Sequence, residues 1–146
     1  MQVKDIMSEN PTYIAPSATL KKAAEKMEEL DCGFLAIGDE QEDKLCGVIT
    51  DRDITIRAVA KGLNPETTKV EDVQTEKVLY CFEGDSVEDT ADNMHNNQVY
   101  RLIVLNNAND KRLCGVVTLG DVVRHDNTKA AEKAAQGISA AQQQAA

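Results

Sequence analysis

The sequence predicts an α/β protein made of two copies of one strand–helix–strand–strand–helix unit. Two observations carry this. The first is an internal repeat. Leu45-Cys46-Gly47-Val48-Ile49-Thr50-Asp51-Arg52-Asp53 returns as Leu113-Cys114-Gly115-Val116-Val117-Thr118-Leu119-Gly120-Asp121, with Leu, Cys, Gly, Val, Thr and Asp in register. Upstream, Val3, Asp5 and Ile6 answer to Val70, Asp72 and Val73, while Leu20, Ala24 and Met27 answer to Val87, Ala91 and Met94. The second copy holds one extra residue between Leu102 and Leu113. A repeat of this kind fixes the architecture before any single element does. It implies a pseudo-two-fold axis and two related sites. The second observation is that apolar spacing within each copy alternates between strand and helix periods. With 146 residues, the chain fits one compact domain or two small ones. Half of that length encloses little interior, so the copies are expected to share a core. Leu35, Ile37, Val48, Leu102, Val104 and Val116 are its expected members.

In the first copy, residues 12–15 are extended and Pro16 ends them. Ser17 is placed to cap a helix reaching about Asp31, with Leu20, Ala23, Ala24, Met27 and Leu30 on one face. Gly33 stops it. Phe34–Ile37 has the continuous apolar character of a strand buried on both faces. An acidic turn, Gly38–Asp43, leads to a strand over Leu45–Thr50. A helix follows from Asp51 to about Lys61, closed by Gly62, and Asn64-Pro65 opens a linker.

The second copy keeps this order. Val78–Phe82 is a strand, and Asp85-Ser86-Val87-Glu88 has the spacing of a capping box with Asp as the cap. Its helix runs to about Asn97. Val99–Leu105, a turn over Asn106–Asp110, and Leu113–Thr118 form the next strands, and Leu119 to about His125 is a helix. The tail is rich in Ala and Gln, lacks a large apolar face and is interrupted by Gly137. It reads as a frayed helix or a disordered end. The expected boundaries are 1–66, 67–126 and a tail over 127–146.

Composition excludes several classes. A net charge of −9 argues against a nucleic-acid surface, which carries a basic stripe. No apolar run is long enough to cross a bilayer, and the N-terminus lacks the pattern of a signal peptide. The four cysteines, Cys32, Cys46, Cys81 and Cys114, form no CxxC pair, so neither a zinc knuckle nor a disulfide framework is indicated. A cytoplasmic location with reduced thiols follows. Cys46 and Cys114 are expected to be buried, inert thiols, and His95 and His125 to be surface residues. No nucleophile–base–acid arrangement, phosphate-binding P-loop or paired-carboxylate motif is present, so the chain does not read as an enzyme.

The unit closed by Gly47-Val48-Ile49-Thr50-Asp51-Arg52-Asp53, present twice, resembles the cystathionine β-synthase (CBS) domain. Two such units in tandem resemble a Bateman module. The resemblance covers roughly residues 1–126. Together with Arg57-Ala58-Val59-Ala60-Lys61-Gly62, the layout is similar to stand-alone bacterial two-CBS proteins of the hypoxic-response type. The resemblance implies two β-α-β-β-α repeats packed through their sheets, a cleft for AMP, ADP, ATP or S-adenosylmethionine as a regulatory ligand, and pairing into dimers. It departs from the family's usual pattern in lacking a proline in the central strands.

The motif also has a chemistry of its own. A helix beginning after Thr50 offers free N–H groups and a positive dipole end to a phosphate. The Thr50 hydroxyl can donate to a phosphate oxygen, and the Asp53 carboxylate can accept from ribose hydroxyls. Gly47 lets a backbone or a flat base come close. Thr118 and Asp121 repeat these roles, as the family implies. Equally, Thr50 and Thr118 could be helix caps and Asp53 and Asp121 dipole-compensating carboxylates. The resemblance places adenine against Ile14 and Ala15 in one copy and Tyr80 and Cys81 in the other. Arg52 adds a forked donor to the first site, where the second has Gly120. Arg101 stands where the family often carries a basic residue, and its counterpart is Phe34.

The sequence thus reads as a regulatory module binding an adenine nucleotide. Its rival is a ligand-free interaction module working through dimerisation or a partner. A redox- or metal-responsive protein ranks third. A homodimer is expected because Ile54, Ile56, Ala58, Val59, Val122 and Val123 exceed what a solvent-covered helix needs.

Overall fold

The computed structural model describes residues 1–9, 12–39, 41, 44–125 and 128–145. Its elements are β1 (Ser8–Glu9), β2 (Tyr13–Ile14), α1 (Leu20–Leu30), β3 (Phe34–Asp39), β4 (Lys44–Thr50), α2 (Asp51–Asp53), β5 (Tyr80–Phe82), α3 (Val87–Asn97), β6 (Arg101–Leu105), β7 (Leu113–Thr118), α4 (Leu119–Arg124) and α5 (Thr128–Ala145). The acidic turn expected over Gly38–Asp43 lies in part outside the described residues. The chain divides into two compact units, Pro11–Val78 and Met1–Asn10 with Leu79–Ala146.

In the unit Pro11–Val78, the strand order is β2-β3-β4. β2 runs parallel to β3 and β3 antiparallel to β4, with Ile14 beside Ile37 and Phe34 beside Thr50. α1 is capped by Thr19, not Ser17: the Thr19 hydroxyl accepts from the Lys22 N–H. An antiparallel bridge from Thr19 to Lys69 holds the entry to the helix. Leu20, Ala23 and Met27 are buried, whereas Ala24 and Leu30 stay exposed, so the helix buries a narrower stripe than its spacing suggested. The expected helix after Thr50 is one α turn, then a wide π turn over Ile54–Ala58 and a 3-10 turn over Val59–Lys61. Gly62 ends it in the left-handed region at φ 74°. The core gathers Ile14, Leu20, Met27, Leu35, Ile37 and Ile49, with Val70 and Val73 from the connecting segment.

The other unit orders its strands β1-β7-β6-β5. Ser86 caps α3 by accepting from the Asp89 N–H, while Asp85 accepts from the Phe82 N–H, so the cap sits one residue later than the sequence spacing placed it. Leu102, Val104, Val117 and Val122 form the core with Val87, Ala91 and Met94 of α3. The tail, expected to be frayed or disordered, is the helix α5, which packs on α3. It does so with small residues. Ala130, Ala134 and Gly137 are buried, and a Cβ at Gly137 would lie 2.5 Å from the His95 carbonyl oxygen. Lys133 pairs with Asp92 at 2.6 Å, and His95 Nδ1 donates to the Lys133 carbonyl at 2.6 Å.

Each repeat is preceded by a leader, and each leader completes the sheet of the other repeat. Val3 and Val70, both in short 3-10 turns, are fully buried. After the first, β1 pairs antiparallel with β7, Ser8 opposite Val116. After the second, Thr75 bridges Val48 on β4, with N···O distances of 3.1 and 2.9 Å. The repeated glycine makes this approach possible. A Cβ at Gly115 would lie 2.4 Å from the Ser8 carbonyl oxygen, and one at Gly47 would lie 3.0 Å from that of Thr75. The close neighbour that the sequence assigned to Gly47 is therefore a backbone.

The leader contact predicts that Gly115→Ala destabilises the protein by about 1–3 kcal/mol, the usual cost of forced overpacking. Gly47→Ala, with the looser contact, costs less. Urea denaturation measures both, and a neutral Gly115→Ala would show that the leader yields freely at this point.

Candidate ligand site

Both Thr-x-x-Asp motifs are closed capping boxes. Thr50 is extended, its Oγ1 accepts from the Asp53 N–H at 3.0 Å, and Asp53 Oδ2 accepts from the Thr50 N–H at 3.0 Å. Thr118 and Asp121 do the same at 3.2 and 2.8 Å. Thus the capping reading holds for both pairs. Three of the N–H groups expected to be free are taken. Asp51 N–H donates to the Gly33 carbonyl and Arg52 N–H to Asp51 Oδ1, while Leu119 N–H donates to the Tyr100 carbonyl. A phosphate at the first motif must therefore be met by side chains.

Asp53 is 8% exposed and Asp121 3%. A buried carboxylate is costly unless charge-paired and hydrogen-bonded, and each box supplies this differently. The Thr75 hydroxyl donates to both oxygens of Asp53, at 3.2 and 3.1 Å. Arg57 Nε stands 3.7 Å from Oδ1, while its Nη1 donates to the carbonyls of Val73 and Gln74 at 3.3 and 2.9 Å. Asp121 instead pairs with the guanidinium of Arg124. The threonines differ too. Thr118 gives its hydroxyl proton to Asp121 Oδ2 at 3.0 Å. Among the described residues, no acceptor takes the proton of Thr50.

Arg57, Arg124 and Thr75 were missed from the sequence. The two arginines carry a readable signal, since they lie four and three residues past their aspartates on a helical face. Thr75 carries only its place in the repeat, as the counterpart of Ser8.

The remaining expected residues are dispersed. Arg52 is exposed. Arg101 faces Thr118 across the β6–β7 register, as Phe34 faces Thr50, and its guanidinium lies 5.0 Å from the Tyr100 ring centre. Ile14 and Cys81, expected to lie against adenine, occupy equivalent positions and are buried in the two cores. Burial pushes the Cys81 thiol up to about 12. Their strand neighbours Tyr13 and Tyr80 are also equivalent to each other, beside Ala36 and Ile103. Tyr80 is 41% exposed and meets Phe82 edge-on. Ala15 follows β2 and is exposed. Cys46 is exposed and Cys114 half-buried, where buried thiols were expected.

A pocket of about 520 Å³ lies between α1 and the turn after β4, lined by Met27, Glu28, Asp31, Cys32, Asp51 and Ile54 among others, and it includes none of the expected site residues. Among the described residues, no group of three His, Cys, Asp or Glu side chains could hold a metal ion. No helix among them is long and apolar enough to cross a membrane.

Comparison with known proteins agrees with this fold. The CBS domain family model matches residues 3–59 and 70–127. Hypoxic response protein 1 of Mycobacterium tuberculosis is 37% identical over 123 residues, covering 84% of this chain and 82% of its own. The crystal structure of Hypoxic Response Protein I with two coordinated zinc ions is 34% identical, with a TM-score of 0.73 over 86% of this chain and 98% of its own. The CBS domain pair of MJ0100, in complex with 5-methylthioadenosine and S-adenosyl-L-methionine, is 28% identical with a TM-score of 0.74, covering 88% and 98% of the two chains. CBSX2 in complex with AMP is 26% identical with a TM-score of 0.70, covering 85% and 94%. Two CBS matches in tandem, each ending in a closed Thr-x-x-Asp box, make this chain a member of the CBS domain family.

Proposed function

We propose that this chain is a regulatory module that binds an adenosine-containing ligand, AMP, ADP, ATP or S-adenosylmethionine, and responds by a change of conformation or assembly instead of catalysis. The observation that carries this is the first box. Thr50 retains a hydroxyl proton to give, the exposed Arg52 follows it by two residues, and the buried Asp53 carboxylate faces a neutral hydroxyl where Asp121 meets a guanidinium. The ligands of the MJ0100 domain pair and of CBSX2 support the same ligand class.

The Thr50/Asp53 site binds more tightly than Thr118/Asp121. In the second box the threonine proton is already given to Asp121, and Gly120 replaces the arginine. Arg101, opposite Thr118, is the second site's own basic group. Tyr80 and Ala15 remain the adenine-facing candidates, and Tyr13 joins them as the repeat counterpart of Tyr80.

A second reading rests on the same hydrogen bonds. Both aspartates are fully engaged by their own chain, as expected of boxes that serve structure alone. The protein would then be an interaction module. In either reading we propose a homodimer. Ala58 and Val122 are buried, but Ile56, Val59 and Val123 are 47%, 62% and 57% exposed, and Leu63 adds another 42%.

Calorimetry separates the readings. Arg52→Ala should weaken AMP and ATP about tenfold or more, since a charge-assisted hydrogen bond contributes about 1.5–3 kcal/mol, and leave adenosine nearly unchanged. Absence of heat with every adenosine ligand would favour the interaction module. Light scattering should give twice the chain mass at micromolar concentration, and Val59→Glu should halve it. A wild-type monomer with and without nucleotide rules out the dimer.

A further inference from the structure

An ionised carboxylate offers about four acceptor positions, and three donors stand against those of Asp53. The Thr50 N–H takes one on Oδ2. Arg57 Nε faces Oδ1. The Thr75 hydroxyl lies between the two, within hydrogen-bond reach of both oxygens. A ribose diol requires this same pair of oxygens, one for each hydroxyl. A diol taking one position on each oxygen meets the Thr75 hydroxyl, which lies across both, and has to displace it. The Thr50 N–H is fixed by the capping box. Thr75 is the donor that the geometry leaves to be exchanged.

Thr75 is also mechanically placed. Two backbone hydrogen bonds join it to Val48 at the free edge of β4, and Arg57 grips the carbonyls of Val73 and Gln74 just before it. The side chain of Gln74 packs on Gly47. The chain leaves this unit shortly afterwards, at Val78. Whatever loosens Thr75 acts on the segment through which the chain continues. The second box has no equal: the counterpart Ser8 pairs with Val116 through its backbone, and Asp121 is held by Arg124.

We infer that Thr75 is an internal stand-in for a ribose hydroxyl: its O–H holds the Asp53 oxygens that a ribose diol needs, so adenosine capture and the Thr75 clamp exclude each other, and capture frees the 73–75 segment from β4. This rests on the proposed reading in which Asp53 accepts from ribose. It assigns the response to a ligand to a named contact, and to the first box alone.

The test pairs calorimetry with amide hydrogen exchange, using adenosine as the probe. Thr75→Val removes the hydroxyl at nearly constant volume, and should bind adenosine about fivefold more tightly than wild type. Thr75→Ser keeps the hydroxyl and should bind like wild type. In wild-type protein, saturating adenosine should speed exchange at the Val48 and Thr75 amides. Should Thr75→Val fail to fold, the wild-type exchange measurement decides alone. Binding to wild type with unchanged or weaker binding to Thr75→Val overturns the clamp, as does slower exchange on adding adenosine, and leaves the ribose reading intact. No adenosine binding to wild type or to either variant overturns the ribose reading, and the clamp with it. Binding to Thr75→Val alone supports the clamp in its strongest form.

Discussion

A backbone crossing a glycine governs most of what this fold does. The Ser8 carbonyl oxygen comes so close to Gly115, and that of Thr75 to Gly47, that a side chain on either glycine would meet main chain. The approach adds a leader to the edge of β7 in one unit and of β4 in the other. It also brings Val3 and Val70 into fully buried positions. In the unit Pro11–Val78 the same approach sets the Thr75 hydroxyl over Asp53. The glycine of each motif thus serves the leader, and in the unit Pro11–Val78 the leader in turn serves the aspartate.

Buried carboxylates tolerate few vacancies. Removing an aspartate's partners leaves a charge in a poorly solvated place, so each box provides its own donors. On the proposed reading, a ligand arriving at the first box exchanges with an internal donor and gains only the difference. One motif can then cap a helix and still bind a ribose, because Thr75 and the ligand, not the cap and the ligand, are the alternatives at the carboxylate. The donors also separate the two boxes. Arg124 meets Asp121 directly with its charge, whereas Arg57 Nε stands off at 3.7 Å from Asp53 and a neutral hydroxyl from a distant segment lies across both of its oxygens. The second is the easier bond to exchange.

Much of the fold was legible in the sequence, because the repeat fixed it before any single element had to be read. β3, β4, β6 and β7 and the helices α1 and α3 fall where the period places them, with ends shifted by one or two residues. The misses have local causes. Thr19 and Ser86 both cap in place of a neighbour that is equally good by composition, and the choice is made by where the leader and strand deliver the chain. The tail was misread because it buries Ala130, Ala134 and Gly137, and small residues leave no apolar signature. At the site, the Thr and Asp positions were readable from the motif. The burial of Ile14 and Cys81 was not, because strands of two and three residues give too little alternation to say which side faces the core. Thr75 was invisible, since its contact with Asp53 exists only once the leader has crossed Gly47.

The central claim is that the first box is a ligand site in which a ribose exchanges with Thr75. The most direct measurement is a crystal structure of the protein grown in saturating AMP. The account predicts phosphate oxygen about 2.7–3.0 Å from Thr50 Oγ1, ribose hydroxyls on both oxygens of Asp53, and the Thr75 hydroxyl turned away. AMP bound with Thr75 still on Asp53, or both boxes closed and empty at saturation, would contradict it.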